Sequence, residues 1–212
     1  MIWEPPKDKP VYNLNVAYDI VRKKLTQVDV RKQCERSGAE LQSDGTVTIR
    51  YLNQTYCLAI ERAAVSIMDS AQEVPLRDKI LLMHYFVQSK GTPSARKQVT
   101  YRDLPGGLVY YPTFVKRTIQ PLIDCFGDIP PGLVKAGELL GASPAYMGDA
   151  SLLINAFPRV PIYIIMWQSD TELPPGGNLL FDANITDYLE SEDVTIVCET
   201  ITWRLINYAR NL

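Results

Sequence analysis

Charge is unevenly distributed along this 212-residue chain, and the unevenness marks where chemistry would sit. Between residues 160 and 203 there are eight acids, Asp170, Glu172, Asp182, Asp187, Glu190, Glu192, Asp193 and Glu199, and no lysine or arginine. Between 90 and 117 there are six bases, Lys90, Arg96, Lys97, Arg102, Lys116 and Arg117, against one acid, Asp103. If these segments face each other they make a polar cleft floored by strands. Arg102 and Arg117 would then bind an anionic group, since a planar guanidinium grips a carboxylate or phosphate in two places. Asp170, Glu172 and Asp182 would hold a cation or transfer protons, and Trp167 would stack on the ligand. Asp103, beside Arg102, belongs to the same candidate ligand-binding set. The more ordinary outcome is that the charges pair across a surface or sit in water, each worth under about 1 kcal/mol.

Other reactive types carry weaker signals. Asp170 and Glu172 are two apart, so on an extended strand they would share a face and could share a hard metal ion. In a turn, which Pro174-Pro175 favours, that geometry is lost, and no metal site is expected. His84 is the only histidine and sits between Met83 and Tyr85 in an apolar segment, a setting for a hydrogen-bonded core residue rather than a catalytic base. The four cysteines, Cys34, Cys57, Cys125 and Cys198, are far apart with no CxxC pair, which predicts reduced, mostly buried thiols. Gly106-Gly107 and Gly176-Gly177 match no phosphate-binding fingerprint and read as tight turns.

The elements that must position these groups follow from periodicity. Leu14, Ala17, Val21, Leu25 and Val28 give an amphipathic helix over about 12–28, and a short helix follows to about Arg36, with Gly38 as its stop. Alternation through 46–52 and 55–60, interrupted by Asn53-Gln54, reads as a β-hairpin. A helix from Pro75 to about Lys90 is apolar nearly all round at 80–87 and belongs at the centre of the domain. Residues 92–111 read as loop and extended chain. A helix over 113–126 is bent or restarted at Pro121 and ends at Gly127. A short helix at 133–140, strands at 151–157, 161–167 and 178–181, and a last helix with Ser191 as its N-cap complete the chain.

Helices and strands come in blocks rather than in alternation. That predicts an α+β fold, a single domain with helices packed on a small, mainly antiparallel sheet. Residues 1–40 form a helical lead packed on a domain of 41–212. Hydrophobic residues at 46% and charged residues at 22% supply a core. The N-terminus lacks the apolar run of a secretory signal, and no apolar stretch approaches the ~20 residues of a membrane span, so a cytoplasmic location and no membrane partner are expected. A net charge of −2 argues against nucleic acid.

Tyr101-Arg102-Asp103-Leu104-Pro105-Gly106-Gly107, Tyr111-Pro112-Thr113-Phe114 with Arg117, Phe157-Pro158-Arg159-Val160-Pro161, and 167–170 with Phe181-Asp182 resemble an uncharacterised family. It is the domain of unknown function numbered 3786, found mainly in anaerobic bacteria and archaea. The resemblance spans about 35–210 and implies no known activity, cofactor or catalytic residue. Some relatives place an iron–sulfur segment ahead of the domain; the first 33 residues here contain no cysteine and depart from that layout. The resulting expectation is a binding or accessory module for a small anionic ligand or a metabolic enzyme of anaerobes. The alternative is an enzyme using Arg and Asp/Glu residues for acid–base chemistry on an anionic substrate. The sequence leaves that choice, the cofactor and the oligomeric state open.

Overall fold

A computed structural model of the chain describes residues 14–211. The proline-rich lead at 1–10, and so the start of the expected helical lead at 1–40, lies outside the described residues. Among the described residues the architecture is that of an α+β domain, with helices and mainly antiparallel sheets of four and five strands. Its packing divides into two compact units. Among the described residues no helix is long and apolar enough to cross a membrane.

The first unit contains the described residues up to Thr92, joined by Phe157–Arg159 and Asp187–Leu189. Helices α1 (Leu14–Leu25) and α2 (Val30–Ser37) precede four antiparallel strands, β1 (Glu40–Leu41), β2 (Val47–Tyr51), β3 (Gln54–Ala59) and β4 (Ala64–Ile67), in that spatial order. The period-2 pattern sets the register: Val47 lies opposite Leu58 and Ile49 opposite Tyr56, all four buried. Because Tyr51 pairs with Gln54, the turn falls on Leu52-Asn53, one residue earlier than the sequence suggests, and Leu52 takes a positive φ of 53°. Gly38 ends α2 in the left-handed conformation at φ 73°, as its position predicts.

Helix α3 (Leu76–Gln88) buries Ile80, Leu81, Leu82, Met83, Tyr85 and Phe86. Phe157 stacks between Tyr51 and Tyr85, with ring centroids at 4.7 and 4.1 Å, and Tyr188 lies 6.3 Å beyond Tyr85. The end of α3 has no basic residue to meet its last carbonyls. Gln33 of α2 does so instead, its Nε2 donating to the Phe86, Val87 and Ser89 carbonyls at 2.5, 3.2 and 2.8 Å. Gln33→Leu keeps the volume and removes the donor, so it is expected to cost about 2 kcal/mol, read as a lower urea midpoint. An unchanged midpoint would show that water serves those carbonyls equally well.

The second unit comprises Pro93–Ala156, Val160–Thr186 and Glu190 onward. Its elements are β5 (Gln98–Thr100), a 3-10 turn at Tyr101–Asp103, α4 (Gly107–Arg117), α5 (Ile119–Phe126), α6 (Pro131–Leu139), β6 (Ser143–Pro144), β7 (Ala150–Phe157), β8 (Val160–Trp167), β9 (Gly176–Asp182) and α7 (Ser191–Ala209). The strands lie in the order β5-β9-β8-β7-β6. Helix α5 packs on β9 and α7, and α6 packs on α7. Ile162, Ile164 and Met166 of β8, Leu179 and Phe181 of β9, and Val194, Val197, Cys198, Ile201 and Leu205 of α7 are buried.

Four expectations need correction here. Gly176-Gly177, expected as a tight turn, instead open β9, with Gly176 opposite Trp167 and Gly177 opposite Met166. Residues 107–111, expected as loop, are helical. Pro105 and Gly106 hid the helix start: Gly106 adopts φ 70° as its cap, and a Cβ at Gly107 would sit 1.9 Å from the Tyr101 carbonyl oxygen. The restart expected at Pro121 occurs at Thr118. A proline ring clashes with the carbonyl four residues back, so Pro121 interrupts the helix upstream of itself, after Arg117. Ser191 is not the N-cap; Glu190 is, and the Ser191 hydroxyl donates to the Pro105 carbonyl at 2.8 Å.

Candidate functional site

All seven candidate ligand-binding residues lie in the second unit. Arg102 and Asp103 share the 3-10 turn after β5. The Asp103 carboxylate accepts from the backbone N–H and the hydroxyl of Thr100, both at 2.8 Å, closing a capping box. Those two bonds hold its carboxyl below the usual range. Arg102 is exposed, with its guanidinium 4.0 Å from the centre of the Tyr111 ring.

Arg117, in the last turn of α4, meets Glu199 of α7. Its Nε donates to Glu199 Oε1 at 3.1 Å and its Nη2 to Oε2 at 2.5 Å, while Nη1 donates to the Tyr110 hydroxyl at 2.9 Å. The Glu199 side chain is 2% exposed and that of Arg117 20%. Burial works against the charged guanidinium, yet the bonds to Glu199 outweigh it and its pKa is raised. Beneath this knot Tyr101 stacks on Phe114 at 3.9 Å, its hydroxyl accepting from Thr195 at 2.9 Å. Burial pushes the Tyr101 phenol up.

Asp182, at the end of β9, is 7% exposed and holds a loop. It accepts from the Ser94 hydroxyl, from the backbone N–H groups of Ala95 at 2.9 Å and Arg96 at 3.3 Å, and from that of Asn184 at 3.0 Å. Burial pushes its carboxyl up, but the four donors together leave it below the usual carboxylate range.

Trp167 closes β8 at the end of the five-stranded sheet where three loops meet. Its indole rests on glycine: a Cβ on Gly176, its partner across the ladder, would lie 3.6 Å from the ring, and one on Gly148 would lie 3.3 Å from Nε1. With no side chain at either position, Trp167 stays 43% exposed. The loops are tied together. Gln168 Nε2 donates to the Asp128 carbonyl at 3.2 Å, the Gln168 N–H donates to Asp149 Oδ2 at 2.7 Å, and Pro175 lies against Gly127. Asp170 folds its loop into a turn by accepting from the N–H groups of Glu172 and Leu173 at 2.8 and 2.7 Å, which hold its carboxyl low. The chain at 170–172 is therefore a turn, not the extended pair that would aim both carboxylates one way. Ile129, Tyr146 and Leu173, one on each loop, are all exposed.

The basic and acidic segments thus meet in pairs. Arg117 takes Glu199 in the second unit; Lys90 takes Asp187 at 2.7 Å in the first. Arg102 with Asp103, and Trp167 with Asp170 and Glu172, form two further groups by chain proximity, while Asp182 serves the 94–96 loop. Sequence reasoning gave no site role to Glu199, hidden among the polar residues of α7, nor to Tyr110. It also missed Gly148, whose φ of 57° and place beside Trp167 leave no local pattern.

Elsewhere, a hollow of about 340 Å³ in the first unit is bordered by Asp19, Arg22, Lys23, Glu61 and Arg62. His84 is partly buried on α3. All four cysteines are free thiols; Cys34 and Cys198 are buried, whereas Cys125 is exposed. Burial raises each thiol pKa, which disfavours the reactive thiolate. Among the described residues no group of three or more His, Cys, Asp or Glu side chains is placed to hold a metal ion.

A family model described as "Domain of unknown function (DUF3786)" matches residues 29–204. The chain belongs to that family. No curated protein and no solved structure matches it.

Proposed function

We propose that this member of the family is a non-catalytic, cytoplasmic binding or accessory module that docks a protein partner, such as a metabolic enzyme of an anaerobe, on the loop end of its five-stranded sheet. The observation that carries this reading is Trp167, an indole left 43% exposed by glycines at 148 and 176, with Ile129, Tyr146 and Leu173 exposed on the loops around it. Half-uncovered tryptophans on well-tied loops suit binding, because a rigid aromatic buries a large area at little entropic cost.

Two neighbouring readings gain less support. A small anionic ligand would meet an exposed guanidinium at Arg102, but the fork of Arg117 is already engaged by Glu199. An enzyme using Arg and Asp/Glu residues for acid–base chemistry would need a carboxylate ready to take or give a proton near neutral pH. Asp103, Asp170 and Asp182 are instead held low and hydrogen-bonded to their own loops.

The test is native mass spectrometry of wild-type protein purified without oxygen from its own cells, beside Trp167→Ala and, as a control on α4, Leu108→Ala. A bound species is expected on wild type and on the control, and at least tenfold less of it on Trp167→Ala. A species bound equally to all three would place binding elsewhere and overturn the reading.

A further inference from the structure

Resting on that docking reading, we infer that the loop end around Trp167 takes a positively charged segment of its partner, in which lysine or arginine side chains flank an apolar anchor. The surface is acidic at its rim and apolar at its centre, which is complementary to such a segment. The three converging loops, 127–130, 145–149 and 168–175, carry Asp128, Asp149, Asp170 and Glu172 and not one lysine, arginine or histidine. The scarcity of bases extends well beyond them: between Arg117 and Arg204 the only bases are Lys135 and Arg159. All four carboxylates are on exposed residues, so their field reaches solvent.

The four have different tasks. Asp149 and Asp170 fix the loops through backbone N–H groups. Asp128 and Glu172 are not tied in this way and can meet a partner. An acidic partner would face like charges on every loop, and a neutral one would gain nothing from the rim. A cationic one gains twice, because the face of an indole itself attracts ammonium and guanidinium groups. Trp167, with its flanks cleared by Gly148 and Gly176, offers that face where the acid rim concentrates cations. The partner's apolar anchor would cover the exposed Ile129 and Leu173, whose burial the charges alone do not provide.

The experiment is selection from a random library of displayed 12-residue peptides on the immobilised full chain. The recovered peptides are then measured against wild type, Trp167→Ala and the double variant Asp128→Asn/Glu172→Gln. Among the described residues neither carboxylate is hydrogen-bonded, and the backbone bonds of Asp128 and Glu172 survive the substitution, so the double variant should stay folded, which circular dichroism checks. The expected result is enrichment of net-positive sequences containing an apolar residue. Their affinity should fall at least tenfold on Trp167→Ala, several-fold on the double variant, and with rising salt. Peptides that need Trp167 but are neutral or acidic would overturn the charge inference and leave the docking reading standing. Recovery of only peptides indifferent to Trp167 would overturn both.

Discussion

Arg117→Met is expected to destabilise the protein by about 3–5 kcal/mol. It leaves the Glu199 carboxylate, 2% exposed, without the guanidinium that takes both its oxygens. Water cannot reach a group so enclosed without opening the packing of α4 on α7. The reciprocal variant, Glu199→Leu, should cost less, because Arg117 is 20% exposed and keeps its bond to the half-exposed Tyr110 hydroxyl. Arg117→Met/Glu199→Leu removes both charges and fills the space with apolar atoms, so it should recover most of the loss. Buried ion pairs are costly to break and much cheaper to replace whole. Urea titrations of the four proteins decide the matter. If the double variant is as unstable as the sum of the singles, the pair is not the coupled unit described.

Asp182→Ala should cost about 3 kcal/mol, by stripping one acceptor from four donors on the 94–96 loop and at Asn184. Asp182→Asn keeps one acceptor oxygen and should lose roughly half as much. The effect carries a pH signature. The folded carboxyl titrates below the ordinary aspartate value of about 3.9, so its contribution is present in full above that value. It is lost as pH falls through the lower folded value. The gap between wild type and Asp182→Ala should therefore be constant from pH 7 to 5 and narrow below about pH 4. A gap unchanged at pH 3 would show that the charge plays no part. As a ligand-holding group Asp182 would have been replaceable without loss of stability; its partners give it a structural task.

How much of this was legible in the sequence depends on how local the cause is. The hairpin of β2 and β3, the buried length of α3 and the apolar stripe of α7 follow from periods of 2 and 3.6, and were readable. Edge strands β1, β5 and β6 have two or three residues, too few for a pattern; the neighbouring strand creates them. The first turn of α4 was obscured because Pro105-Gly106-Gly107 is turn chemistry that here also starts a helix. At the candidate site, Trp167 and the acid-rich stretch stood out by type. The pairing of Arg117 with Glu199 spans 82 residues and depends on how α4 and α7 pack, which no local signal encodes.

The stacked rings of the first unit have a consequence for synthesis. Tyr51, Tyr85, Phe157 and Tyr188 come from four distant points of the chain, and the ring between the first two is the third to be made. A nascent polypeptide halted near residue 150 would carry two tyrosines facing an empty slot, with apolar surface bare to chaperones and proteases. This unit, though mostly encoded ahead of the other, should become protease-resistant only after Tyr188 has been made.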